Sequence, residues 1–87
     1  MAEKMTKLDE HALTGNREAY RKTFLQQVRT TRTMSRNALN TFSGFLPYAN
    51  HEQAISLAHE CEALEARIEF CNAVERDIDA HVAAVFS

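Results

Sequence analysis

The stretch from Asn50 to Phe86 constrains this chain most. Its apolar residues stand at Leu57, Cys61, Leu64, Ile68, Cys71, Ile78, Val82 and Val85, in steps of four and three with one missed beat at Glu75. That spacing lines them along one side of an α-helix. At 1.5 Å per residue the helix would be about 55 Å long, longer than a small globular domain is wide. Such a helix must lie along another long helix, in this chain or in a second one.

The partner within the chain precedes it. Phe24, Val28, Thr31, Ser35, Ala38, Phe42 and Phe45 repeat with the same spacing, and Tyr20 extends the stripe backward. This predicts a helix over residues 16–46, capped by Asn16 and stopped by Pro47, which turns its predecessor away from the α region. Its middle is small and partly polar, and the Thr-rich run at Thr30–Ser35 is where a break would fall. Asn50 and Gln53 form a capping-box pair for the helix over 50–86. The connection is about four residues, so the two helices are expected to be antiparallel neighbours. Residues 1–15 carry a weaker pattern (Met5, Leu8, Ala12) that ends at Gly15, a favourable C-terminal stop. The first few of these residues are expected to fray.

The expected fold is therefore all-α. It is one domain over residues 1–87, a long antiparallel hairpin with a short or frayed N-terminal helix, pairing into a dimeric bundle. Two Gly, one Pro and no Trp leave few positions for the turns that a sheet protein requires. A chain of 87 residues has a thin core, which favours oligomerisation. The second helix also carries an extra stripe, Ala63, Ala66, Phe70 and Val74, that a single antiparallel neighbour leaves uncovered. Candidate core or dimer-seam residues are Phe24, Val28, Phe42, Leu64, Ile68, Phe70, Val74 and Ile78. Matching residues across the hairpin turn places Glu75, the charged residue on the seam, beside Arg21.

Charge is divided along the chain. Residues 1–36 hold eight Lys/Arg against four Asp/Glu, and residues 37–87 hold two against eight. Arg17, Arg21, Lys22, Arg29, Arg32 and Arg36 fall within about 140° of a helical wheel. This stripe reads either as a solvated face balancing the acidic helix or as a contact surface, with Arg29, Arg32 and Arg36 as candidate partner-binding residues. Glu62, Glu65, Glu69 and Asp79 on the neighbouring helix would repel a phosphate backbone. A protein face is thus preferred over nucleic acid.

No cofactor or metal is expected. His11, His51, His59 and His81 lack Glu-x-x-His spacing, and His59 and Cys61 point about 160° apart on a helix. With no Gly-rich loop or Ser-containing elbow, an enzyme is not expected either. Cys61 and Cys71, separated by about 15 Å of helix rise, read as small buried hydrophobes in a reducing compartment. No apolar run reaches the roughly 20 residues of a membrane span, and no signal-peptide core is present, so a cytoplasmic location is expected.

The segment Val28-Arg29-Thr30-Thr31-Arg32-Thr33-Met34, continuing to Ala38, Phe42 and Leu46-Pro47, resembles TraM-like quorum-sensing antiactivators of conjugative plasmids in rhizobia and agrobacteria. The shared features are an apolar residue followed by Arg-Thr-x-Arg, then a helix ending near Leu-Pro. The resemblance covers about twenty residues, and more loosely some ten upstream from Leu13-Thr14. It implies an all-helical dimer that binds a LuxR-type transcriptional activator and blocks its binding to DNA. After Pro47 the family has a longer, Gly-containing connection that this chain lacks, so no contact residue carries over beyond Asn50. The alternatives are an RNA-binding hairpin dimer using the Arg stripe, and a phage or plasmid inhibitor or adaptor aimed at another host protein.

Overall fold

The computed structural model describes residues 6–87. Met5, and the fraying expected of the first residues, lie outside that range. The described chain is helical, with no strand: α1 (Lys7–Leu13), α2 (Arg17–Phe45), a 3-10 turn (Leu46–Tyr48), α3 (His51–Arg76) and α4 (Ile78–Val85).

Local chemistry sets each boundary. Thr6 Oγ1 accepts from the Asp9 amide at 3.2 Å and opens α1. Gly15 ends that segment with φ +71, a conformation that costs glycine nothing sterically. Asn16 Oδ1 accepts from the Ala19 amide at 3.2 Å and opens α2. The latter is continuous for 29 residues, so the Thr30–Ser35 run does not break it. Pro47 lies in the 3-10 turn that follows. The capping box then starts α3: the Gln53 amide donates to Asn50 Oδ1 at 2.9 Å, and the Asn50 amide to Gln53 Oε1 at 3.1 Å.

The helix expected over 50–86 is two helices. Asp77 adopts φ −120, ψ 33, and its amide is shared between the carbonyls of Ala73 and Val74. A straight α-helix drifts about 20° per heptad away from a strict seven-residue stripe. The kink at Asp77 lets Ile78 and Val82 stay on the core side.

α2 and α3 form the hairpin, α1 folds back on α2, and α4 extends the contact with α2. The core sits toward the open end of the hairpin, where Val74, Ile78 and Val82 are buried beneath Tyr20, Phe24, Leu25, Val28 and Phe86. Tyr20 stacks on Phe24 at 6.0 Å between ring centroids and meets Phe86 edge-on at 5.4 Å. Leu64 and Cys71 complete the buried apolar set.

Three positions of the expected stripes are on the surface instead: Thr31 in the middle of α2, and Phe45 and Val85. Phe45 is 56 % exposed and Val85 46 %, because each lies at an end of the hairpin where the opposing helix no longer covers it. The missed beat at Glu75 also resolves. Val74 takes the core position one residue earlier, and Glu75 sits at the rim of the seam. Val74 is therefore covered within the chain, leaving Ala63, Ala66 and Phe70 as the exposed part of the extra stripe.

The molecule is long and thin, 52 × 36 × 17 Å. Its radius of gyration is 17.3 Å, against about 12 Å for a compact chain of this length. Its accessible surface of 6725 Å² exceeds the roughly 5,200 Å² typical of a folded monomer of its mass.

Candidate functional site

The hairpin has two flanks of different chemistry. One carries the arginine stripe. Here Arg29 Nε donates to Glu75 Oε1 at 2.9 Å, and Arg32 Nη2 donates to the same oxygen at 3.2 Å. Arg32 Nη1 bridges Asn72 Oδ1 at 2.9 Å and Glu75 Oε2 at 3.4 Å. One helical turn of α3 is thus held by two arginines of α2.

This corrects the expected pairing of Glu75 with Arg21. Arg21 Nε instead donates to Asp79 Oδ1 at 2.8 Å. Side chains on a helix lean toward its N-terminus. In an antiparallel hairpin, α2 side chains therefore lean away from the turn and α3 side chains toward it. Counting equal backbone distances from the turn ignores that lean, so it pairs Glu75 with an arginine too far from the turn. The lean was available to sequence reasoning and would have moved the pairing toward Arg29.

The candidate partner-binding arginines separate accordingly. The Arg32 side chain is only 17 % exposed and ties the hairpin together, whereas Arg29 remains 60 % exposed despite its ion pair. Arg36 is exposed and forms no ion pair among the described residues.

Hydrogen bonds from Arg29 and then Arg32 hold the Glu75 carboxyl below its ordinary value of 4.5, outweighing the opposing effect of burial. A carboxyl whose folded pKa is depressed stabilises the fold above its unfolded pKa, and that contribution is lost as pH falls through the folded value. Stability of the native chain should therefore decline as pH drops below about 4.5. Glu75→Gln should flatten that limb, with the two proteins converging at lower pH. Urea midpoints across the acid range measure this, and parallel curves would show that Glu75 is not linked to folding. A double-mutant cycle should find coupling between Glu75 and Arg32 and none between Glu75 and Arg21.

The opposite flank is more apolar, with Arg67 as the charged group of its central groove. Phe24, Val28, Thr31, Arg67, Phe70 and His81 line most of an open groove of about 540 Å³ between α2 and α3. A second groove of about 570 Å³ at the turn end is lined by Phe45, Tyr48, Glu52, Ser56 and Leu57 among others. Large apolar groups stand out of this flank and the turn: Phe70 is 68 % exposed, Met34 66 % and Tyr48 87 %. Met34 and Tyr48 were not singled out from the sequence, because Met34 falls just off the core stripe on the side away from the arginines and Tyr48 lies in the connection.

Of the candidate seam residues, Leu64, Val74 and Ile78 are buried, while Phe24, Val28, Phe42 and Ile68 are half-buried. Phe70 alone of that set faces outward. The histidines are dispersed, His11 on α1, His51 and His59 on α3, and His81 on α4. No three His, Cys, Asp or Glu side chains converge among the described residues. Cys71 is buried and Cys61 half-buried, both as free thiols. No described helix is long and apolar enough to cross a membrane.

The chain matches no protein-family model, and neither the curated proteins nor the solved structures contain a significant match.

Proposed function

We propose that this chain is a small non-catalytic regulator that works as a dimer and sequesters a protein partner in the cytoplasm. The observation that carries this reading is the uncovered flank of the hairpin, where Met34, Phe45 and Phe70 stand exposed on an unusually elongated molecule. Several large apolar side chains exposed along one flank are the raw material of an interaction site. The resemblance around Val28–Pro47 supplies the candidate partner, a LuxR-type quorum-sensing activator whose DNA binding would be blocked.

The basic flank has a secondary part in this reading. Glu75 offsets charge on Arg29 and Arg32, and Asp79 of α4 offsets that on Arg21. That leaves Arg36 and the N-terminal basic residues to speed encounter with an acidic surface, while apolar contacts hold the complex. The same neutralisation weakens the RNA-binding alternative, which relies on those arginines meeting phosphate.

The test is titration of the purified chain into a LuxR-type activator bound to its DNA site. Release of the DNA, with an activator complex that survives moderate salt, is the expected result. Truncating Met34 or Phe45 to alanine should weaken the effect more than Arg36→Ala. Binding to RNA of any sequence that collapses steeply with salt, with no effect on the activator, would replace this proposal by the RNA reading.

A further inference from the structure

We infer that the apolar flank is a self-association surface in which α3 packs antiparallel against α3 of a second copy, about a twofold axis beside Ala63. This rests on the dimeric regulator proposed above and gives the dimer a face and a direction.

The pattern along α3 supports it. Ser56, Glu60, Ala63, Arg67 and Phe70 form a stripe in steps of four and three on the flank of the open grooves. Glu60 and Arg67 are its only charged members, opposite in sign and almost symmetrically placed about Ala63. Neither has a complementary charge three or four residues away on its own helix, and neither forms an ion pair among the described residues. Reversing the direction of a second α3 brings each Arg67 to the other copy's Glu60. It also sets the bulky Phe70 over the small Ser56 and lets the two helices approach closely at Ala63. A parallel pairing would instead set Glu60 against Glu60 and Arg67 against Arg67.

A twofold contact must be self-complementary, and this stripe is. The surface available is also sufficient. The chain's 6725 Å² exceeds a compact monomer's surface by about 1,500 Å², more than the ~800 Å² that each partner gives to a standard interface.

Charge exchange tests the direction as well as the face. Glu60→Arg and Arg67→Glu, each alone, should weaken self-association by about tenfold or more in dimer Kd, as read by sedimentation equilibrium at low salt. Both positions are exposed, so circular dichroism should show unchanged helicity. Mixing the two variants, or combining both changes in one chain, should restore association, because an antiparallel pair then regains both Glu–Arg contacts. Ala63→Cys should form a disulfide-linked dimer on oxidation, since the axis brings the two Cα atoms within bridging distance. Unchanged association in the single variants, or no rescue on mixing, would overturn the inference. Such a result would leave sequestration standing if the activator were still released from DNA.

Discussion

Replacing Ile78 by alanine should cost about 2–5 kcal/mol of folding stability, the range for removing a buried isoleucine and leaving a cavity. Ile78 is 6 % exposed and sits between Val74 and Val82 in the cluster covered by Tyr20, Phe24, Leu25, Val28 and Phe86. Among the described residues only five apolar side chains are buried, so each carries a large share of the total. A chain of 87 residues has about 4–13 kcal/mol to lose, and this single change takes a substantial fraction. Ile78 is also the first residue of α4, so its loss loosens the segment that closes the open end of the hairpin. Urea unfolding at fixed protein concentration should show a lower midpoint with little change in slope. A loss below about 1 kcal/mol would mean that the cluster is too loosely packed to form a cavity.

Ser35→Leu is expected to destabilise by about 1–3 kcal/mol through overpacking. Ser35 is the one buried polar residue among those described, 3 % exposed near the middle of α2. The Arg32–Asn72 contact sets the local register, bringing Ser35 level with the Leu64–Ile68 part of α3. Helices in contact lie 8–10 Å apart depending on the side chains between them, and serine permits the near end of that range. Leucine would push the helices apart and strain the Arg32 bridge to Asn72 and Glu75. Ser35→Ala keeps the small volume and should stay within about 1 kcal/mol. Equal stability of the leucine variant and the native chain would show that the helices are not closely packed at this level. The small, partly polar middle of α2 was legible in the sequence; its tight burial was not, because burial depends on how near α3 comes.

What the sequence determined by itself is what depends on neighbours a few residues away. Helix periodicity, the capping pairs at Asn16 and at Asn50–Gln53, the stop at Gly15 and the turn at Pro47 are local, and each stands where residue chemistry places it. The tertiary structure decided everything that depends on how two helices meet. It selected Val74 rather than Glu75 for the seam and broke the last helix at Asp77. It gave Glu75 to Arg29 and Arg32, and it turned Phe70 outward while covering Val74. The reason is geometric. A stripe of apolar residues defines a face, but the phase of that face drifts along a helix, and side chains reach past the level of their own backbone. Which residue of two adjacent candidates is buried, and which arginine meets a given carboxylate, follows from that drift and reach only once the helices are packed.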